Sequence, residues 1–287
     1  VTAQYAPQRV DKSIYKVKVI NSRQIEQKAA NSLTDVLSSE LNIRVQQDGS
    51  LGTSMSLQGL SGEHVKFLID GVPVIGRMNG NIDISQLNLY NVDHIEVIEG
   101  PMSVVYGSNA LAGVINIITK ENKNTRLSGY AKGYIESVGV YNFDLGVSYK
   151  VKDHVFSFSG GRNFFEGYSQ NDSLRSMGIS GSQDSWKPKR QYFLDGYYIY
   201  SKPNTKIKAS SSWFDEKLLN RGNLIGPYYE TAFDNYFITS RSTSKLELNQ
   251  KVKTARYMNL MVSYSYYSRK KETYFKDLTT LTETPTI

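Results

Sequence analysis

The chain of 287 residues contains no cysteine, so it forms no disulfide and carries no thiolate chemistry. Only 7 prolines stand against 22 glycines and 21 tyrosines, a balance that excludes a collagen-like or disordered chain. Long apolar runs are missing too. Stretches such as Leu111 to Thr119 fall far short of the roughly 20 residues a spanning helix needs. With a mean hydropathy of −0.42 the chain is not a helical membrane protein. A membrane β-barrel escapes that exclusion, because alternation hides the hydrophobicity of its strands. The first residues lack a charged-then-apolar secretion signal, which leaves a mature or trimmed chain, or a cytosolic one.

Enzyme signatures are also lacking. No Gly-rich phosphate loop ends in Lys-Ser/Thr, and neither G-x-S-x-G nor H-E-x-x-H occurs. The many strand serines have no partnered base, so they are not nucleophiles. His64, His94 and His154 are scattered without ligand spacing. Asp48, Asp70 and Asp83 lack a compact calcium-loop pattern, and Asp70-Gly71 reads as a turn. The expectation is a non-enzyme with no metal and no cofactor.

What is present changes character near residue 120. Residues 1–120 hold 10 Lys+Arg and 11 Asp+Glu, a net of −1, and residues 121–287 hold 24 and 16, a net of +8. Five aromatics fall in the first part and 29 in the second. The basic residues are spread among strand-like segments, which reads as a solvated face rather than a nucleic-acid patch.

The first part has aliphatic periodicity with Gly turns, as a small α+β domain would. Tyr15 to Ile20, Ile43 to Gln47, Met55 to Leu57, Val65 to Ile69, Ile95 to Ile98 and Val114 to Thr119 read as strands. Asn21 or Ser22 caps a helix over Arg23 to Ala30. Ser32 with Asp35 starts a second over Leu33 to Ser39. A short helical turn over Ser103 to Tyr106, closed by Gly107, completes the reading.

The second part alternates with period two. Tyr141, Phe143, Leu145, Val147 and Tyr149 share one face, opposed by Asn142, Asp144, Gly146 and Ser148. Met258, Leu260, Val262, Tyr264 and Tyr266 repeat the pattern, and Ile207, Ala209 and Trp213 oppose Lys206, Lys208, Ser210 and Ser212. A soluble sandwich would alternate in the same way. Two features favour a membrane barrel: segments of about ten residues or more, and aromatics (Tyr149, Tyr200, Trp213, Tyr267) at segment ends. Seven strands are expected, near 125–136, 139–150, 154–166, 190–201, 205–215, 239–251 and 255–270. Tight turns at 150–153, 202–204 and 252–254 alternate with connections near Ser137, at 167–189 and at 216–238, of which two are long. An arc of seven strands cannot close, and open edges at membrane depth cost several kcal/mol per unpaired backbone group. The chain therefore reads as part of a longer barrel.

Gly100 to Lys120, GPMSVVYGSNALAGVINIITK, resembles the closing motif of the plug domain of TonB-dependent outer-membrane receptors. Leu57-Gln58-Gly59-Leu60 and Leu68 to Val74 resemble two further plug motifs, and Leu33-Thr34-Asp35-Val36-Leu37 resembles the plug's early helix. The likeness covers residues 1–120 closely, and 121–287 only in character. It implies an α+β plug followed by antiparallel transmembrane β-barrel strands, about seven of an expected 22. The implied boundaries are 1–10 for the remnant of the TonB box and linker, 11–121 for the plug, and 122–287 for the N-terminal part of the barrel. The family often carries Arg where this chain has Gln58 and Glu99, so half of a charge cluster that clamps plug to barrel is missing here.

The resemblance further implies TonB-dependent import across the bacterial outer membrane of a ferric siderophore, cobalamin or haem. The apical plug loops would bind it through Asp48, Ser50, Thr53, Arg77, Met78, Asn79, Asn81, Ser108 and Asn109, with Tyr168 and Trp186 from a barrel connection. Val1-Thr2-Ala3 resembles the tail of the TonB box and would meet TonB. Outer-membrane lipids are the other expected partner. A glycan or peptide receptor of the same architecture, with a surface lipoprotein partner, is the alternative. A soluble β-rich binding or adhesion protein is the reading from another class.

Overall fold

Two short helices follow the first described strand, and each is started by its own side chains. The computed structural model describes residues 16–30, 32–48, 52–61, 64–77, 80–101, 110–122, 125–168, 186–253 and 256–286. Helix α1 (Ser22–Gln27) is capped by Asn21, whose Oδ1 accepts from the Gln24 amide while Gln24 Oε1 accepts from the Asn21 amide, both at 2.9 Å. It stops short of the expected Ala30 because Ala29 turns into the left-handed region, at φ 49°. Helix α2 (Leu33–Leu37) has the reciprocal box of Ser32 and Asp35 that its sequence announced. Its buried Leu33, Val36 and Leu37 face the core. The expected turn over Ser103 to Tyr106 lies outside the described residues.

The chain divides into two compact units, Val1–Glu121 and Asn122–Ile287. Among the described residues, the first unit holds strands β1 (Lys16–Asn21), β2 (Ile43–Asp48), β3 (Gly52–Leu57), β4 (Leu60–Ser61), β5 (Val65–Ile69), β6 (Val72–Pro73), β7 (Val92–Glu99) and β8 (Gly113–Thr119). They form one sheet in the order β1-β7-β8-β5-β6 and a smaller sheet β2-β3-β4. Only the β5–β8 pairing in the larger sheet is parallel. Ile95, Val97, Ile115, Ile117 and Phe67 on one face of that sheet pack with Leu33, Val36, Leu37, Leu57 and Ile84 into a single core. A 3-10 turn at Ile84–Gln86, which the sequence pattern did not announce, supplies Ile84.

The second unit is a meander. Strands β9 (Leu127–Glu136), β10 (Val140–Val151), β11 (His154–Phe165), β12 (Lys189–Lys202), β13 (Thr205–Asn220), β14 (Thr231–Lys253), β15 (Arg256–Asp277) and β16 (Thr282–Pro285) pair in sequence order, each antiparallel to the next. An eighth, four-residue strand thus joins the seven expected. The connection expected at 216–238 shrinks to 221–230, because β13 and β14 stay paired through Lys217↔Ile238, Leu218↔Phe237 and Asn220↔Asn235. The charged run Asp215-Glu216-Lys217 looks like a loop in sequence but is strand. Glu216 is satisfied by Gln191 Nε2, which donates to it at 2.7 Å across β12 and β13.

Cross-strand register assigns the faces. Leu145 lies opposite Gly160, Gly160 opposite Leu194, Leu194 opposite Trp213, Trp213 opposite Ser242 and Ser242 opposite Tyr266. Directly paired residues share a face, so this row belongs to the apolar side. Tyr267 is one residue out of step. It faces the polar side, opposite Arg241, whose guanidinium lies 5.6 Å from its ring centre. The apolar side is the exposed one, and the opposite side buries polar residues together with Phe193, Ile199, Phe214 and Leu218. On the apolar side Phe143 is 44% and Phe158 54% exposed, while on the polar side Gln191 and Glu216 are 1% exposed.

Candidate functional site

The larger sheet of the first unit has two distinct ends. Register places Lys16, Glu99, Gly113 and Val65 at one end, and Asn21, Val92, Thr119 and Ile69 towards the other. The second end is closed by the β5–β6 turn. Asp70 and Gly71 take φ of 48° and 80° there, and Asp70 accepts from the Thr119 amide at 2.9 Å and the Thr119 hydroxyl at 2.7 Å. Asn116 Oδ1 accepts from the Gly71 amide at 3.2 Å. Asp70 is therefore turn chemistry, as its sequence suggested. The chain leaves towards the second unit from this end. The segment after β6 runs back along β5, with the Val74 amide bonded to Phe67 O at 2.9 Å, and brings Arg77 to Val65 at the Gly113 end.

Arg77 is held there by its own backbone surroundings. Its Nη1 donates to Gly80 O at 2.6 Å and its Nη2 to Val65 O at 2.7 Å. These bonds orient the guanidinium. Lys66 lies beside it, half-buried on β5. Burial and then the Arg77 charge push the Lys66 ammonium below its ordinary range. Two cations therefore share this end of the sheet.

Asp83 ties the start of β3 to its own turn. Its Oδ1 accepts from the Thr53 amide at 2.9 Å, the Ser85 amide at 3.0 Å and the Ser85 hydroxyl at 2.7 Å. Gly52 has φ +91°, and a Cβ there would stand 2.0 Å from Asp83 Oδ2. The β2–β3 hairpin can thus dock on the Asp83 loop only with glycine at position 52. Sequence reasoning weighed Asp83 for calcium alone. Its buried carboxylate is instead committed to loop amides, and the clue in the sequence was the Asp-x-Ser pattern of an Asx turn.

Of the expected ligand residues, Asp48 is the last residue of β2 and pairs with Gly52. Thr53 is buried with its amide on Asp83, and Asn81 is half-buried four residues after Arg77. The structure brings Thr53 to Asp83, which Asn81 precedes by two residues, and holds Arg77 at Val65 and Gly80. Tyr168 and Trp186, in the second unit, bond to one another through both backbone amides at 3.0 and 3.2 Å, with ring centres 5.6 Å apart. They close the base of the connection between β11 and β12. Ser50, Met78, Asn79, Ser108, Asn109 and Val1-Thr2-Ala3 lie outside the described residues.

The histidines are engaged separately. His94 Nδ1 lies 2.7 Å from Asp93 Oδ2 and its Nε2 3.4 Å from the buried Glu96 Oε1. His154 Nδ1 lies 2.8 Å from the Tyr198 hydroxyl. Among the described residues no three His, Asp or Glu side chains converge as ligands for a cation.

Residues 9–114 match the family model described as TonB-dependent Receptor Plug Domain. The chain is 30% identical over 225 residues to the vitamin B12 transporter BtuB of Vibrio vulnificus (strain CMCP6), covering 75% of this chain and 34% of that protein. It is 35% identical over 122 residues to the same-named transporter of Vibrio cholerae serotype O1 (strain M66-2), covering 42% and 20%. The chain thus spans about one third or less of the length of these relatives. Its fold is similar to the ferric yersiniabactin uptake receptor FyuA of Yersinia pestis, at a TM-score of 0.62 and 14% identity, over 99% of this chain and 53% of that one. The siderophore receptor PirA of Pseudomonas aeruginosa matches at a TM-score of 0.62 and 17% identity, over 90% and 42%.

Proposed function

Because the chain belongs to the TonB-dependent receptors, we propose that it forms the plug and first barrel strands of an outer-membrane receptor importing cobalamin or a ferric siderophore, energised through TonB. The observation that carries the reading is the exposed apolar face of the second unit. A water-soluble sandwich of this alternation would bury its apolar faces. Here Phe143, Leu145, Val147 and Phe158 are exposed while Gln191, Glu216 and Thr239 are buried. Lipid is the solvent in which that arrangement is favourable.

Connection lengths support the same reading. At one end β10–β11, β12–β13 and β14–β15 are separated by two residues each, while the separations at the other end include the two longest, β11–β12 and β13–β14, beside the short β9–β10 and β15–β16. The long-connection end would face outwards. The proposed class of cargo is drawn from relatives named for vitamin B12 by sequence and for siderophores by fold. In this reading Arg77 and Asn81 present the plug surface to the ligand, the buried Thr53 and Asp83 fix the β3 end beside them, and Val1-Thr2-Ala3 meets TonB.

The test is calorimetric titration of the full-length receptor in detergent with cobalamin, ferric siderophores and haem. Saturable binding of cobalamin or one siderophore, with uptake abolished in cells lacking TonB, is the expected result. Binding of glycans or peptides, with no response to the metal-bearing ligands, would replace the cargo and leave the architecture standing.

A further inference from the structure

On the exposed apolar face of the second unit, near its long-connection end, three cations crowd together. Arg190 lies directly opposite Phe164 on one side and directly opposite Lys217 on the other. Arg162 lies opposite Tyr192, one step along the same face. Like charges placed directly across a strand pair repel. Among the described residues none of the three cations forms an ion pair. The carboxylate nearest in register on this face, Asp215, lies opposite Tyr192.

Aromatic rings hold these cations in place instead. The Arg162 guanidinium lies 4.6 Å and that of Arg190 5.7 Å from the Phe164 ring centre, and Phe164 meets Tyr192 edge-on at 5.4 Å. The Lys217 ammonium lies 4.1 Å from the Tyr236 ring centre. A guanidinium stacked on a ring keeps its N–H edge free and oriented, which suits bidentate binding of phosphate oxygens.

Apolar surface begins directly beside the cluster. Phe143 lies opposite Arg162, and Leu194 and Trp213, also paired, lie one step further from the long connections. A free anion would use the cations and leave this surface bare. A phosphate carried on acyl chains meets both. We infer that Arg162, Arg190 and Lys217 form a binding site for the phosphate of a phosphorylated lipid headgroup in the outward-facing leaflet. The inference rests on the reading of this face as lipid-facing.

Two measurements on the full-length receptor separate the two. Quenching of fluorescence by brominated lipid, compared between wild type and Trp213→Phe, tests the lipid-facing reading alone. Lipid binding is then followed by native mass spectrometry in dodecyl maltoside micelles containing phosphatidic acid or, as the zwitterionic control, phosphatidylcholine. Wild type should retain phosphatidic acid in preference to phosphatidylcholine. Each cation at an anionic surface contributes about a fivefold factor, so R190Q/K217Q should weaken phosphatidic acid binding roughly 25-fold. Unchanged heat-modified gel mobility would show that the variant is folded, and Lys217→Gln alone is the milder variant if it is not. Should Trp213 be quenched while R190Q/K217Q retains phosphatidic acid like wild type, the inference fails and the membrane reading stands. Equal competition by inorganic phosphate and by phosphatidic acid would also overturn it, since the acyl chains would then contribute nothing.

Discussion

The Gln58 side-chain amide donates a 3.0 Å hydrogen bond to Glu99 Oε2, and Lys16 Nζ reaches the same oxygen at 2.9 Å. These are the two positions where the family resemblance led one to expect arginine, and they touch. Gln58 sits at φ 52° in the β3–β4 turn, and β7 delivers Glu99 to it from 41 residues away. The missing cations are thus replaced by a local Gln–Glu–Lys cluster. Glu99→Arg would set a cation against Lys16, and is expected to lower plug stability by about 1 kcal/mol, the scale of a partly exposed ion pair. Gln58→Arg in that background should not recover it, whereas Gln58→Glu should. Urea denaturation of the plug, followed in the intact receptor, measures both.

Asp83 makes its own prediction. Asp83→Ala leaves the Thr53 and Ser85 amides without their acceptor. A buried amide stripped of its partner costs about 1–3 kcal/mol. Hydrogen exchange at Thr53 should accelerate, and ligand affinity should fall if the 49–53 and 77–81 loops meet the cargo. Unchanged exchange at Thr53 would rule out the anchoring role.

Gly113 cannot be replaced. At φ +146°, a Cβ there would stand 2.2 Å from Ile98 O in the neighbouring strand. Gly113→Ala must push β7 from β8 at the heart of the larger sheet, and a loss of at least about 3 kcal/mol is expected. Loss of receptor from outer-membrane fractions, together with protease sensitivity of the first unit, would report it.

Two plug residues set opposite limits with pH. The Glu96 contact, against the opposing effect of burial and with help from Asp93, raises His94 above its ordinary 6.5. A raised pKa gives stability that is complete below the unfolded value and lost as pH climbs through the folded one. Burial works against ionisation of Glu40, but ion pairs with Lys18 and Lys28 prevail and hold it below its ordinary 4.5. That contribution is present above the unfolded value and disappears as pH falls through the folded one. His94→Gln should flatten the loss above neutrality, and Glu40→Gln the loss on the acid side. Plug denaturation midpoints recorded across pH would show a shoulder disappearing in each variant.

Much of this was legible residue by residue. The Ser32–Asp35 box, the Asp70-Gly71 turn and the alternation of β10 and β15 act over a few residues, so composition and spacing reveal them. The ends of β13 and β14 did not show, because Asp215-Glu216-Lys217 breaks the local pattern and its strand state depends on partners in β12 and β14. Tyr267 passed for an outward aromatic because its face is set by register with Arg241 rather than by its type. The hydrogen bonds that fix Arg77 and Asp83 were not legible either. Their backbone partners Val65 and Thr53 lie 12 and 30 residues away, beyond any spacing rule.

The sequence by itself determined the two-part organisation, the α+β character of the first part, and which side chains share a strand face. Backbone geometry imposes those periods wherever a strand forms. Only the tertiary structure decided which face is covered. The same alternation serves a sandwich or a barrel, and what solvates a face depends on what packs against it. Strand pairing likewise decided that Gln58 meets Glu99 and Arg190 meets Lys217, because register is settled by the whole sheet and not by either residue.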